Sequence, residues 1–336
     1  MCLYPKLIKN RKYIANKKNK GIIPEIKDQR VLWVPVGCQK CIECRKQKSR
    51  GWSVRLQEEI RTDKTGQFVT LTFSNEAIAT LAPEIKGLTG YDLDNEIATL
   101  ATRKFLENWR SKYKKSVKHW LVTELGHNGT ENIHLHGIIF SKEKQEIIKK
   151  WKYGFVYIGD YVNEQTVNYI TKYITKTDTV HTEYTPIVLT SPGIGGKYTE
   201  RIDANNNKFK KKDTDETYKT RQGTKLNLPI YYRNKIYTED EREELWLQKL
   251  NKEERWVCGE KVSIKNGDYT EYDKLVKWYR AKNARLKFGD DEINWDKIRY
   301  QNERRKLMTE KRIKNEIRAT RSETLVGPTA RRDGKP

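Results

Sequence analysis

The chain has 336 residues, with 68 Lys and Arg against 45 Asp and Glu, a formal net charge of +23. Charged residues make up 34% and hydrophobic types 36%, with a mean hydropathy of −0.91, so a packed core occupies only part of the chain. No apolar run approaches the roughly 20 residues of a membrane span, and Met1-Cys2-Leu3-Tyr4-Pro5-Lys6 lacks the charged-then-apolar order of a signal peptide. The expected setting is cytoplasmic, where the five cysteines stay reduced or bind metal. The charge excess points to a polyanion, because each neutralised phosphate releases condensed counterions. An anionic membrane surface is the competing partner. Nineteen Tyr and nine Trp among so many cations suit a surface that stacks bases beside phosphates, although such rings also serve as core.

In chain order, residues 1–44 are irregular and basic and end in a cysteine cluster. Residues 45–61 predict a helix, with Trp52, Leu56 and Ile60 at intervals of four. Gln67-Phe68-Val69-Thr70-Leu71-Thr72-Phe73 alternates and predicts a strand. A second helix is expected over residues 95–115, with Ile97, Leu100, Phe105 and Trp109 as its apolar positions. Two strands follow, residues 119–125 and 133–140, joined by a Gly- and Asn-bearing loop that suggests a hairpin. Next come a helix near 142–152, a short strand at 155–158 and a helix over about 164–177. This order predicts an α+β domain, an antiparallel sheet with helices packed on one face. Residues 181–236 are rich in turn formers, and from Thr238 the text is highly charged and helix-favouring. The last 36 residues hold eleven Lys/Arg and five Asp/Glu, which predicts a frayed basic tail after a mainly helical C-terminal region. The division expected is 1–60, an N-terminal segment with the cysteines and a basic helix; 61–180, the core domain; and 181–336, irregular then helical and basic.

Ile133-His134-Leu135-His136-Gly137-Ile138-Ile139-Phe140 carries the first candidate chemistry. Alternation on a strand sends His134 and His136 to one face and Ile133 and Leu135 to the core. Two imidazoles on one rigid surface can serve one divalent metal; the alternative is a hydrogen-bonded surface pair. Downstream, Tyr169, Lys172, Tyr173 and Lys176 stand at i, i+3, i+4 and i+7 and form one helical stripe, while Val167, Ile170 and Ile174 anchor another face. In one reading the tyrosines simply flank a core helix. In the other, with the histidines nearby, they are two phenol nucleophiles, each followed by an ammonium. A phenol with a pKa near ~10 needs help at neutral pH, which a metal-polarised phosphate and a nearby Lys supply. Tyrosine attack on a DNA phosphate leaves a 5′-phosphotyrosine and a 3′-hydroxyl, and that bond stores the energy to reseal the strand without ATP. A second tyrosine one turn away adds a second cut.

Cys38-x-x-Cys41-x-x-Cys44 opens directly onto a basic helix. Such spacing in a reducing compartment suggests structural zinc, with Cys2 as the first candidate for a fourth ligand and Cys258 as the second. Plain reduced thiols, or an iron–sulfur or redox role, are the alternatives. His119 and His181 have no partner visible in sequence and read as surface or satisfied histidines. Thr70 and Thr72 share a strand face that could touch DNA, though Thr suits strands in any case.

The His-hydrophobic-His strand followed by a Tyr-x-x-x-Tyr helix resembles the HUH endonuclease superfamily, in its two-tyrosine replication-initiator branch. More narrowly, residues 1–245 are similar to replication initiators of microviruses, the gokushovirus-type phages with small circular single-stranded DNA. The resemblance is carried by Val36-Gly37-Cys38-Gln39-Lys40-Cys41-Ile42-Glu43-Cys44-Arg45, Phe68-Val69-Thr70-Leu71-Thr72-Phe73, the His134/His136 strand and the Tyr169/Tyr173 helix. Ser191-Pro192-Gly193-Ile194-Gly195 and Leu228-Pro229-Ile230-Tyr231-Tyr232-Arg233 complete it. The chain departs from the pattern at Glu131-Asn132-Ile133, where relatives often carry Arg-Pro.

The resemblance implies an HUH nuclease core that nicks a specific origin strand through Tyr169 or Tyr173, with Lys172 and Lys176 assisting, and later religates it. It implies Mg²⁺ or Mn²⁺ held by His134, His136 and an acid on the preceding strand, best matched by Glu124, with Glu131 and His127 as rivals. Implied partners are single-stranded or locally melted phage origin DNA and the host replication helicase and polymerase, in the host cytoplasm and away from membranes. The rival functions are an HUH transposase or relaxase and a non-catalytic, zinc-stapled single-stranded DNA-binding protein.

Overall fold

The computed structural model describes residues 2–127, 131–176, 178, 180–181 and 183–286. A short antiparallel pair, β1 (Lys6–Lys9) and β2 (Trp33–Val36), precedes the long helix α1 (Ile42–Thr62). Then come β3 (Gly66–Leu71), α2 (Asn75–Leu81), α3 (Gly90–Tyr113), β4 (Lys118–Leu125) and β5 (Ile133–Phe140). They are followed by α4 (Lys144–Lys150), β6 (Val156–Ile158), α5 (Glu164–Lys172) and β7 (Val188–Thr190). The rest holds β8 (Thr217–Lys219), β9 (Lys225–Asn227), α6 (Ile230–Ile236), α7 (Glu239–Asn251), the hairpin β10 (Glu254–Val257) and β11 (Glu260–Ser263), and α8 (Thr270–Arg285).

Five strands form the central antiparallel sheet in the order β6-β3-β5-β4-β7, in agreement with the α+β expectation. Helices cover both of its faces rather than one. Val69, Leu71, Leu121, Ile133, Leu135 and Ile139 pack on one side with Ile97, Ala101 and Phe105 of α3. Trp120, Val122, Ile138 and Phe140 pack on the other with Leu56 and Ile60 of α1 and Val167 and Ile170 of α5. This is why the middle of β4 and the end of β5 read as unbroken apolar runs, which alternation-based reasoning assigns to no particular face. Gly137 allows the close pairing of the central strands: a Cβ there would lie 2.0 Å from the Trp120 carbonyl oxygen.

Local chemistry sets the helix that matters for the site. Asn163 caps α5, accepting from the Thr166 amide while the Thr166 hydroxyl accepts from the Asn163 amide. The helix ends at Lys172, earlier than the sequence pattern suggests, and continues as a tighter turn in which the amides of Tyr173, Ile174 and Thr175 bond three residues back. β-Branched Ile170, Thr171, Ile174 and Thr175 crowd this turn and favour its tightening.

The chain beyond residue 190 wraps α1. Buried Glu58 accepts from Arg201 Nη1 at 2.7 Å and from the Tyr218 hydroxyl at 2.6 Å, and Val54 packs with Tyr198, Tyr218, Leu228 and Tyr232. The C-terminal region is helical as expected in α7 and α8, with a hairpin between them. The expected basic tail over the last 36 residues lies outside the described residues.

Candidate functional site

At one end of the sheet the apolar cover stops and polar side chains take over. Register places Glu124 across from His134, and His136 between Val122 and Thr70, so all four polar residues share one face. His134 and His136 alternate with fully buried Ile133 and Leu135, as the strand pattern predicts. Gly126 makes room for the His134 ring: a Cβ there would lie 2.8 Å from His134 Cε1.

His136 is held from both sides. Its Nδ1 lies 3.0 Å from Thr70 Oγ1 and its Nε2 lies 3.0 Å from Glu124 Oε2. The other Glu124 oxygen accepts from Lys176 Nζ at 2.5 Å. Burial raises the Glu124 carboxyl, but the hydrogen bonds from His136 and Lys176 outweigh it and the net shift is downward. Burial, with the neighbouring His136, holds the His134 imidazole below its ordinary range and keeps it neutral.

The two tyrosines meet above this group. The Tyr169 and Tyr173 hydroxyls are 2.6 Å apart, and the Tyr173 ring stacks on His136. Tyr169 packs edge-on against Phe68, with centroids 6.0 Å apart. It is 49% exposed, whereas Tyr173 is 9% exposed. Burial, the Tyr169 hydrogen bond and the Glu124 charge push the Tyr173 phenol well above its ordinary range. Lys176 therefore reaches the cluster, while Lys172 is exposed and has no ion pair with a described residue.

The sheet end suits a divalent cation in part. Glu124 Oε2 and His136 Nε2 are spaced like neighbouring ligands on an octahedral ion with bonds of about 2.1 Å. The carboxylate already receives one cation, Lys176. The His134 and His136 ring centroids are 6.4 Å apart. Among the described residues, three or more donor atoms lie within 4.8 Å of one another in two other places, the Cys2–Cys38–Cys41–Cys44 group and the His127–Asp178–His181 group. His134 faces the same side as the other two and needs a ring rotation to join them.

The four cysteines are reduced and gathered around the start of α1. Cys2 Sγ lies 3.9 Å from Cys41 Sγ, close to the roughly 3.8 Å edge of a tetrahedron with Zn–S bonds of about 2.3 Å. Cys2 also accepts from the amides of Tyr4 and Cys38. Hydrogen bonds from Cys41 and Cys44 draw the Cys38 thiol far below its ordinary range, and the same neighbours drive Cys44 upward. Cys258 packs beside the group without joining its donor atoms. Tyr272, Leu275, Val276 and Tyr279 of α8 pack around the thiols, and the α8 residue Asn283 accepts from the Ile42 amide at 2.9 Å, capping α1.

Several partnerships were invisible in sequence. Thr70 braces His136, and the Thr72 hydroxyl bonds the Phe155 backbone, so both strand threonines have internal partners. His119 is a buried satisfied histidine between the Val117 carbonyl and Ser191 Oγ. His181 lies between Asp178 and Glu131, and His127 stands beside them, so both rivals for the third ligand belong to a separate cluster. Asn132, at the departure from the family pattern, donates to the Phe73 carbonyl and to Asn75, anchoring the end of the β4–β5 loop. No pattern in the sequence announces these pairs, whose members are up to 72 positions apart. The aromatic interleaving near residue 155 is the one signal that reasoning passed over: Phe155, Tyr157 and Tyr161 are exposed near the tyrosine pair, with Tyr157 edge-on to Phe68.

Residues 66–178 match a family model for replication-associated proteins of the ORF2 type. The match spans about a third of the chain and includes β3, the His134/His136 strand and the Tyr169/Tyr173 helix. It supports a role in replication for this region. No curated protein and no solved structure matches the chain. No helix among the described residues is long and apolar enough to cross a membrane.

Proposed function

We propose that the chain is an HUH-type replication initiator that nicks one origin strand of a small circular phage DNA of the microvirus kind and later reseals it. The observation that carries this reading is the contact between the Tyr169 and Tyr173 hydroxyls directly above His136, Glu124 and Lys176. Residues 61–180 act as the nuclease core. The phenol oxygen bonds to phosphorus as the bond to the 3′-oxygen breaks, and the proton lost by the phenol equals the one gained by the departing 3′-hydroxyl. The product is a 5′-phosphotyrosine, which the 3′-hydroxyl of a later strand attacks in reverse. His136, Glu124 and His134 would hold Mg²⁺ or Mn²⁺, which supplies charge to polarise a phosphate oxygen.

This chain's own groups do the rest. Lys176 offsets negative charge developing beside Tyr173, and exposed Lys172 contacts the DNA backbone. Phe155, Tyr157 and Tyr161 offer rings on which unpaired bases stack. The four thiols hold a structural zinc that joins the N-terminal segment to α8. Host helicase and polymerase in the host cytoplasm then use the freed 3′-end. Mixing the protein with labelled single-stranded origin DNA and Mn²⁺, followed by denaturing electrophoresis, should give a protein-linked band. Its absence under conditions where the DNA binds would favour the non-catalytic single-stranded DNA-binding reading.

A further inference from the structure

Two segments that flank the tyrosine site meet at a second group of metal donors. His127 follows β4, and Asp178 and His181 follow the turn that carries Lys176. Asp178 Oδ2 lies 3.0 Å from His181 Nδ1 and 3.7 Å from His127 Nε2. Ligands on a tetrahedral zinc with bonds of about 2.0–2.1 Å are roughly 3.3–3.4 Å apart, so the two distances bracket that edge. The second nitrogen of His181 lies 2.8 Å from Glu131 Oε2. A neutral imidazole has one N–H and can donate to only one of two carboxylates. A cation between Nδ1 and Asp178 leaves Nε2–H free to donate to Glu131, the carboxylate–histidine–metal relay that orients metal-bound imidazoles.

We infer that His127, Asp178 and His181 form a zinc-class metal site, distinct from the His134/His136 group, with Glu131 as the positioning carboxylate. Two imidazole nitrogens and one carboxylate oxygen are a borderline donor set suited to Zn²⁺. His181 is 1% exposed, with Tyr91 of α3 edge-on at 6.3 Å, so one side of the site is closed. The His127 side chain is 34% exposed, which leaves the other side open for water as a fourth ligand. The ion would clamp the chain after Lys176 to the β4–β5 loop next to Glu124 and His134. It thereby fixes the position from which Lys176 reaches Glu124. The inference does not depend on the chemistry of the tyrosines.

The test is Zn²⁺ binding to the full chain carrying His134→Ala and His136→Ala, which removes the competing imidazoles. Zinc content after dialysis is measured together with affinity against a chromophoric chelator, and circular dichroism checks the fold. Adding His127→Ala, or His127→Gln as the milder change, should remove one equivalent of zinc per chain, and Asp178→Asn should do the same. Glu131→Gln should retain the equivalent with about 10- to 100-fold weaker affinity. If these variants fold and bind as much zinc as their parent, with unchanged affinity, His181 is instead an imidazolium held by two carboxylates and the inference falls.

Discussion

The Tyr173 ring lies parallel to the His136 imidazole, with centroids 4.5 Å apart and planes 5° from parallel. The stack fixes both rings at once, because His136 is itself braced by Thr70 and Glu124. It also buries the Tyr173 phenol and leaves Tyr169, hydrogen-bonded to it, as the phenol open to solvent.

The first cut is therefore expected to use Tyr169. Tyr169→Phe should slow first adduct formation at least about 100-fold, close to 3 kcal/mol of barrier. Tyr173→Phe should leave the first adduct and lose the second cut. Single-turnover cleavage of one-origin and two-origin substrates checks both. Equal first-cut rates for the two variants would assign no order to the pair.

Metal removal should separate cutting from binding. EDTA, His134→Ala or His136→Ala should abolish nicking, while DNA binding stays largely intact because its phosphate contacts are spread over many cations. Thr70→Val, which removes the brace on His136 Nδ1, should weaken Mn²⁺ affinity about 10-fold or more. Parallel nicking and filter-binding assays read the two effects. Full cleavage in EDTA would contradict the assignment.

Zinc at the thiols should behave as a structural element. Elemental analysis should find about one zinc per chain that survives dialysis and is lost on Cys41→Ser. Because α8 packs on the cysteines and caps α1 through Asn283, the same change should lower the melting temperature and expose α8 to proteolysis. Thiols free to react with a thiol reagent in protein purified anaerobically without chelator would contradict it.

Stability should fall on the acid side partly through His119. Burial lowers its pKa below the ordinary value of 6.5, so the folded chain refuses a proton that the unfolded chain accepts. Its contribution is complete above about pH 6.5 and is lost as the pH falls below that value. His134 acts in the same direction. Melting temperatures followed between about pH 5 and 8 should decline on the acid side, and His119→Gln should flatten the decline.

Much of this arrangement was legible in short-range pattern. Strand alternation assigned His134 and His136 to one face, and helical spacing brought Tyr169 and Tyr173 together, because both depend on backbone period alone. Glu124 entered only through the family resemblance, and register then set it across from His134. What pattern does not encode is meeting across sequence: Lys176 on Glu124, Thr70 on His136, and His181 between Asp178 and Glu131. β7 went unread because three residues, Val188–Thr190, are too few to show alternation. Helices on both faces went unforeseen because β4 and β5 are apolar on each side, which removes the signal that tells one face from the other.

The most direct test of the central claim is peptide mapping of the covalent adduct, run alongside the Tyr169→Phe, Tyr173→Phe double variant. Removing both hydroxyls deletes the nucleophiles but keeps the rings that pack on Phe68 and His136. The account predicts that the trapped nucleotide maps to Tyr169 or Tyr173, and that the double variant folds, binds origin DNA and forms no adduct. A nucleotide on any other residue, or an adduct formed by the double variant, would contradict it.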